Sequence, residues 1–303
     1  MYTTAPNGVL LIDKPAGLSS AGVVRRIKKI AGIKKAGHTG TLDPLATGLM
    51  LCPINQATRI SRFLMSGYKS YEALMGLGAE TDTLDADGKI VHAAPVPPLT
   101  PSKVEAAAGR YQGEIEQVPP AYSALKHEGK PLYVYAREGV TVKKPARRVF
   151  IEKIAVTSLQ PPEIGLFVRC SSGTYIRSLC ADIGRDLGCG AYVKTLRRTE
   201  CAGFAVSEAR TIEELELAGA QGRLPDLVVP MARALSGMPT HVADKALTQR
   251  IKYGKILHRK DIDQMDEIGY TRVVDPEGNL LAVLYRDACT PDRLKYACVF
   301  PPA

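Results

Sequence analysis

No run of about 18 consecutive apolar residues occurs in the chain, so no membrane-crossing helix is expected. The opening "MYTTAPNGVLLIDKP" has no basic stretch ahead of an apolar one. That argues against a secretory leader and for a cytoplasmic protein. The seven cysteines (Cys52, Cys170, Cys180, Cys189, Cys201, Cys289 and Cys298) are odd in number, and no two stand at a C-x-x-C spacing. Neither a disulfide framework nor a zinc knuckle is indicated, which leaves reduced thiols acting as small core residues. The five histidines are scattered and form no metal cluster. The H-x-E and P-C-x-x-C elements that hold zinc in base deaminases are missing. "TLDADGKIVHAA" places Asp85, Asp87 and Gly88 at calcium-loop offsets. Thr83 stands in the first ligand position and Ala94 in the twelfth, so the charges such a site needs are absent and a surface turn is expected.

What is present points toward a polyanion. Lysine and arginine number 40 against 31 acids in 303 residues, a net charge of +9 with a pI near 9.1. Such a balance favours nucleic acid as partner, and the placement of the charge matters more than its sum. Between Lys126 and Lys153 there are eight Lys or Arg against three Glu. The surrounding stretch, 113–145, is rich in Pro, Tyr and Lys and reads as a basic excursion with one short helix near Leu132 to Arg137.

Apolar residues make up 45% of the chain, enough to build a core. "GVLLIDKP" predicts a buried strand from Gly8 to Asp13 stopped by Pro15. Ser19 or Ser20 can cap a helix from Ala21, with Val23, Val24 and Ile27 on its apolar face and Gly32 at its end. "GLMLCPI" reads as a strand and "QATRISRFLM" as a helix. "KSYEALMGLG" is a strand, Thr100 and Pro101 start a helix, and strands resume at "RRVFIEKIAVTSL" and "GLFVRCSSG". "TYIRSLCADIGRDLG" is a helix and "AYVKTLRRT" leads into a strand. A break is expected near Pro239. After it, "TRVVDPEGNLLAVLY" is a hairpin turning at Asp275–Gly278, and "KYACVF" is a last strand. Strands and helices mix without regular βαβ alternation, so the class is α+β.

One segment concentrates turn formers around a single acid. "GHTGTLDPLATGLM", Gly37 to Met50, holds three glycines, three threonines, His38 and Asp43 followed by Pro44. The proline pushes Asp43 toward extended geometry, and the glycines allow positive φ and close approach of a ligand. This presents one carboxylate rigidly. An Asp-Pro turn that stabilises only itself would look the same at this level. The segment has neither G-x-x-x-x-G-K-[ST] nor G-x-G-x-x-G, so it is not a nucleotide phosphate loop.

The same segment resembles the catalytic motif of the TruB family, the tRNA pseudouridine-55 synthases, and other motifs follow in family order. "GVLLIDKPAGLSS" resembles the N-terminal motif, "KSYEALMGLGAETDTLDADG" the tyrosine motif with its acidic turn, and "PPAYSALKHEGKPLYVYAREG" the inserted RNA-gripping segment. "CSSGTYIRSLCADIG" and "LRRT" are similar to the arginine and leucine motifs. The resemblance covers most of Gly8 to Thr199.

It implies a mixed and antiparallel-sheet catalytic domain over 1–239 with an RNA-gripping insertion at about 113–145. A small C-terminal β-barrel of the PUA type would follow over 240–303, on a less extensive likeness in "NLLAVLY" and "VFPP". The implied activity is isomerisation of uridine 55 in the tRNA T-loop to pseudouridine after base flipping. Asp43 falls on the catalytic aspartate, Tyr71 on the tyrosine that stacks on the flipped uracil, and Arg177 on the arginine that pairs with the aspartate. Tyr175 falls on the tyrosine beside it, Leu196 on the leucine lining the pocket, and His38 on the histidine that slots into the T-loop. Lys14 and Pro15 match a supporting turn. Lys126, Lys130, Lys143, Lys144, Arg147 and Arg148 are the expected clamp on RNA phosphates, interleaved with Tyr122, Tyr133 and Tyr135.

The chemistry fits those roles. The step breaks the ribose–nitrogen bond, turns the uracil and rejoins it through carbon. It consumes no electrons and no group donor, so no cofactor or metal is expected. It needs an ionised carboxylate in a dry pocket. Burial would neutralise an aspartate, and a guanidinium opposes that. Arg177 is therefore expected to keep Asp43 ionised. The insertion resembles that of the bacterial stand-alone enzymes, so no obligate protein partner is expected and a monomer is. A tRNA-folding module without catalysis is the competing reading. Asp43 speaks against it, because a carboxylate repels phosphate and a pure binder would do better without one.

Overall fold

The computed structural model describes residues 6–140, 142, 144–263, 268–290 and 292–300. Strand β1 (Gly8–Lys14) leads to helix α1 (Ser20–Ala31). Ser19 caps α1 by accepting from the Gly22 N–H, and Gly32 ends it at φ 63°, where a Cβ would be strained. Its Val23 and Ile27 are fully buried, each stabilising the packing by about 1.5–3 kcal/mol. Strand β2 (Thr47–Ile54) follows the Asp43 loop.

The segment expected as one helix after β2 is instead a 3-10 turn over Asn55–Ile60 and a single-turn α2 (Ser61–Met65). The Thr58 and Ser61 hydroxyls donate back to the carbonyls of Asn55 and Thr58, and such local bonds compete with regular helix. Strand β3 (Lys69–Leu77) runs into the acidic hairpin β4 (Ala79–Thr81) and β5 (Ile90–Ala93). Helix α3 (Pro101–Gly109) starts on the Thr100 cap as expected.

Strand β6 (Gly113–Gln117) pairs with the main sheet. The excursion from the main sheet thus begins after Gln117, and the first residues of the expected insertion are sheet. Ile115 is the reason, since it packs on the main core. Within the excursion lie the two-residue strands β7 (Lys126–His127) and β8 (Lys130–Pro131) and helix α4 (Leu132–Arg137). Strands β9 (Arg147–Gln160) and β10 (Glu163–Cys170), helix α5 (Ile176–Asp186) and strand β11 (Ala191–Cys201) complete the central part. The short β12 (Phe204–Ala205), α6 (Ile212–Ala220), β13 (Val228–Pro230) and α7 (Met231–Ala234) close it.

The main sheet is nine-stranded, in the order β13-β1-β2-β11-β3-β10-β9-β6 with β12 against β11. Neighbours are antiparallel except at one junction, where β11 lies parallel to β2. α3 and α5 pack with the inward residues of β3, β10 and β11. Alternate residues of β1 and β2 go to opposite faces. Leu10, Ile12, Met50 and Cys52 meet α1 and α6, while Val9, Leu11, Leu49 and Leu51 face the other way. Strands covered on both faces read as continuous apolar runs.

The rest is strand β14 (Thr240–Val242), helix α8 (Lys245–Lys252), β15 (Leu257–His258), and the sheet strands β16 (Gly269–Val274), β17 (Leu280–Arg286) and β18 (Arg293–Val299). They form a five-stranded sheet in the order β14-β16-β17-β18-β15, with the hairpin turn at Asp275–Gly278 as expected. Val274, Leu280, Val283, Cys298 and Phe300 share one apolar cluster with Val9, Leu11, Leu49 and Leu51. Arg59 and Arg62 also donate to the Val299 and Ala297 carbonyls, at 2.7 and 2.9 Å. The C-terminal sheet is therefore packed onto the main body. Among the described residues no helix is long and apolar enough to cross a membrane. Six cysteines are buried and all seven are free; only Cys289 is exposed, departing from the expected core role.

Candidate active site

The Asp43 loop is fixed from below. The Ser20 hydroxyl at the start of α1 donates to the Leu42 carbonyl (2.9 Å) and accepts from the Leu42 N–H (2.8 Å). The Gly17 N–H donates to the Pro44 carbonyl at 2.8 Å. Lys14 is fully buried, and its Nζ donates to the carbonyls of Pro15 (2.8 Å) and Pro44 (3.2 Å). The turn carrying the acid is thus held on both sides of Asp43. Gly48, just inside β2, sits at φ 99°, and a Cβ there would lie 2.3 Å from the Arg198 carbonyl oxygen. Only glycine lets β11 approach that closely.

Arg177 comes from the first turn of α5 and is 4% exposed. Its Nε lies 2.9 Å from Asp43 Oδ2, and its Nη1 lies 3.4 Å from Asp85 Oδ2. Nη1 also donates to the Thr83 carbonyl, and Nη2 donates to the Tyr122 carbonyl at 2.7 Å. One guanidinium therefore ties together the Asp43 loop, the acidic hairpin and the root of the basic excursion. Asp85 is itself oriented, accepting from the Thr83 hydroxyl at 2.6 Å and from the Asp87 N–H at 3.2 Å.

The floor is the sheet. Register pairs Arg198 with Tyr71 and Leu196 with Ala73 across β11 and β3. Tyr71 and Leu196 are each 7% exposed. Arg198 is buried; its Nε donates to the Leu49 carbonyl at 2.7 Å and its Nη2 to the Gly40 carbonyl at 3.2 Å. Lys69 Nζ donates to the Met65 and Gly67 carbonyls at 3.0 and 2.7 Å.

Burial pushes the Asp43 carboxyl above its ordinary value; Arg177 and Lys14 oppose that rise and Asp85 adds to it. The guanidinium is present as expected, yet desolvation outweighs it. Burial lowers the Lys14 ammonium to about 8, with Asp43 resisting and Arg198 reinforcing the fall. The Tyr71 phenol is pushed by burial up to about 12, against the Arg198 charge, so it is neutral at physiological pH. Burial also raises Tyr175, opposed in part by Arg147 and Arg177, and lowers His38.

A cavity of about 310 Å³ is lined by Asp43, Tyr71, Tyr175, Arg177 and Leu196, with Lys69 and Arg198. Asp43, Tyr71, Tyr175, Arg177 and Leu196, expected around one base, therefore face one space. His38 lines an adjoining cavity of about 840 Å³ that shares Asp43 and Arg177 with the first. Its Nδ1 is buried and has no hydrogen-bond partner among the described residues.

Of the expected phosphate clamp, Lys126, Lys130, Arg147 and Arg148 are exposed. Lys144 is half-buried with Nζ 3.2 Å from His127 Nδ1. Arg147 and Arg148 begin the main-sheet strand β9, and Arg148 pairs with Glu114 at 3.4 Å. Lys143 lies outside the described residues. Among the described residues no group of three or more His, Cys, Asp or Glu could hold a metal ion.

Sequence reasoning gave Arg198, Lys69 and Asp85 no part in the site. Strand alternation puts Arg198 on the face of Leu196, a signal available in "LRRT". Nothing local marked the Lys69 side chain as turned inward or the Asp85 carboxylate as meeting a helix.

The chain is similar to known proteins over most of its length. Residues 28–176 match the model of the TruB family pseudouridylate synthase N-terminal domain, and residues 177–236 that of the tRNA pseudouridylate synthase B C-terminal domain. The tRNA pseudouridine synthase B of Burkholderia pseudomallei is 43% identical over 286 residues, covering 93% of this chain and 94% of the relative. That of Syntrophotalea carbinolica is 44% identical over 248 residues, covering 82% and 81%. A crystal structure of a Cbf5-Nop10-Gar1 complex shares the fold, with a TM-score of 0.76 at 25% identity over 97% of this chain and 85% of that one. The chain belongs to the TruB family of pseudouridylate synthases.

Proposed function

We propose that this protein isomerises uridine 55 in the T-loop of tRNA to pseudouridine, with Asp43 as the catalytic carboxylate and no cofactor. The observation that carries the reading is the Asp43–Arg177 pair at 2.9 Å on the wall of a cavity that also holds Tyr71, Tyr175 and Leu196. A partly buried acid against a buried guanidinium, beside an aromatic ring, suits a base taken out of its stack. Tyr71 stacks on the flipped uracil as a neutral ring, and Leu196 closes the pocket beneath it. Tyr175 sets the wall beside Arg177. Asp43 acts at the ribose or the base; attack on the sugar carbon, attack on the base and removal of a sugar proton all use the same carboxylate. Isomerisation conserves electrons and atoms, so the chemistry asks for no redox group or donor.

The wider cavity, lined in part by His38, is the place for the opened T-loop. Lys126, Lys130, Lys143, Lys144, Arg147 and Arg148 clamp phosphates, as basic residues interleaved with tyrosines do on single strands. RNA is read most readily in loops, whose bases are already exposed. We assign residues 1–239 to catalysis and 240–303 to a small barrel-like RNA-binding module of the PUA type, acting as a monomer on tRNA without an obligate protein partner. The test is incubation with an unmodified T-arm transcript and chemical mapping of pseudouridine. Modification of the T-loop uridine is expected; tight binding without modification would leave only a tRNA-binding module.

A further inference from the structure

Strand β6 alternates between inward and exposed positions through its last residue. Ile115 turns inward and packs on the main core. Two positions on, in the same inward register, stands Gln117, 2% exposed. A carboxamide in that register needs partners for both its ends. It has them in one residue. Gln117 Oε1 accepts from the Tyr175 N–H at 2.7 Å, and Gln117 Nε2 donates to the Tyr175 carbonyl at 3.0 Å. The side chain thus imitates a neighbouring strand for a residue that has none.

Tyr175 occupies a delicate position. It precedes α5 directly, and its carbonyl also accepts the first helical bond, from the Leu179 N–H at 3.1 Å. Its own side chain does not cap the helix. The turn before it contains Gly173 at φ 90°, so no regular strand leads into the helix. Two residues later comes Arg177, whose Nε meets Asp43. Just beyond Gln117 the chain enters the basic excursion, where the Val118 carbonyl accepts from the Ser178 hydroxyl and the Tyr122 carbonyl from Arg177. Gln117 is therefore the sheet-anchored point between the excursion and the start of α5.

We infer that Gln117 is a positioning residue for the pocket: by clamping both main-chain groups of Tyr175 it sets the Tyr175 ring and the helical turn that aims Arg177 at Asp43. It touches no substrate. Its effect is on the geometry of the Asp43–Arg177 pair, and misplacement of such a pair by about 1 Å can lower the rate on the order of 10²-fold. The inference rests on the assignment of Asp43 as the catalytic carboxylate.

The test is Gln117→Met, which keeps the length and bulk of the side chain and removes both bonds. Single-turnover pseudouridine formation on a T-arm transcript and the Kd for the same RNA are measured well below the thermal midpoint of the variant. The rate is expected to fall at least about 10-fold while Kd changes less than about threefold. A merely structural Gln117 would lower the thermal midpoint and leave the rate of the folded protein unchanged; that result overturns the inference. Should the Met variant fail to fold, Gln117→Glu serves in its place. It keeps an acceptor for the Tyr175 N–H and, when ionised, loses the donor to the Tyr175 carbonyl, and the same split between rate and affinity is expected. Wild-type protein runs alongside. Inactive wild type would overturn the functional assignment and this inference with it, whereas active wild type with an unaltered variant rate overturns the role of Gln117 alone.

Discussion

Arg177 Nε and Asp43 Oδ2 lie 2.9 Å apart across the junction of helix α5 and the loop before β2. The same guanidinium also faces Asp85 at 3.4 Å, so one buried cation balances two carboxylates. Arg177→Met leaves both acids without it. Breaking a buried pair in this way typically costs about 3–5 kcal/mol, read as a lowered denaturant midpoint at neutral pH. Arg177→Lys keeps a charge and loses the planar set of donors. Turnover is expected to drop on the order of 10²-fold, measured as kcat on the T-arm transcript. Near-normal turnover of the lysine variant would show that the fork geometry does not matter.

Burial sets the acid side of the pH profile. The Asp43 carboxyl titrates above its ordinary 3.8, and the proposed chemistry uses its ionised form. The single-turnover rate should therefore decline with acid on a limb lying above pH 3.8. Arg177 is the largest influence opposing that rise, so Arg177→Lys, with a misplaced charge, should move the limb to higher pH. A limb that stays in place would separate Arg177 from the ionisation of Asp43.

Asp43→Asn separates catalysis from binding. Isomerisation should vanish while RNA affinity is kept or improves, because a negative charge facing phosphate is gone. Stability should change in a defined direction. A carboxyl whose pKa is raised on folding opposes folding when ionised, so at neutral pH the asparagine variant should melt higher than wild type. The gain should disappear as pH falls through the raised value toward 3.8, where wild type becomes neutral as well. A lower melting point at pH 7 would mean that the ion pair with Arg177 outweighs the desolvation of the acid.

The phosphate clamp is read through salt. Replacing Lys144, Arg147 and Arg148 together by glutamine should weaken RNA binding and reduce the slope of log K against log salt by about 2. An unchanged slope would move the RNA backbone to another surface.

Gly48 makes the parallel junction possible. Its φ of 99° and the 2.3 Å approach of a built Cβ to the Arg198 carbonyl oxygen leave no room for alanine. Gly48→Ala should destabilise the protein by about 1–3 kcal/mol or more. It should also impair activity in the fraction that remains folded, because the Asp43 loop runs directly into β2 and β11 carries Leu196 and Arg198 of the pocket lining. Circular dichroism melts and the rate per folded molecule check the two effects.

Several elements are legible in the sequence because their signals are local. Ser19, Gly32, Thr100 and Pro101 mark helix ends through cap chemistry that involves only a few neighbouring residues. The hairpin at Asp275–Gly278 is equally local. The helix expected after β2 failed for a local reason that was harder to see, since the Thr58 and Ser61 hydroxyls turn back on the chain. The start of the excursion was misplaced because a Pro, Tyr and Lys composition does not reveal that Ile115 packs on the core. Gln117 gave no signal, since one glutamine at a strand end is ordinary until its partner is known.

The sequence alone singled out Asp43 as the candidate acid, its Asp-Pro presentation and the family motifs around it, because these depend on residue type and short spacing. It also determined most helix and strand spans, which follow from apolar periodicity and caps. Tertiary structure alone decided the balance of charge in the pocket. Lys14, Asp85 and Arg177 come from three separate segments, and only folding brings them near Asp43. Whether the acid is held up or down in pKa depends on how far water is excluded relative to how close those cations stand. That is a property of distances through space, which the order of residues along the chain does not contain.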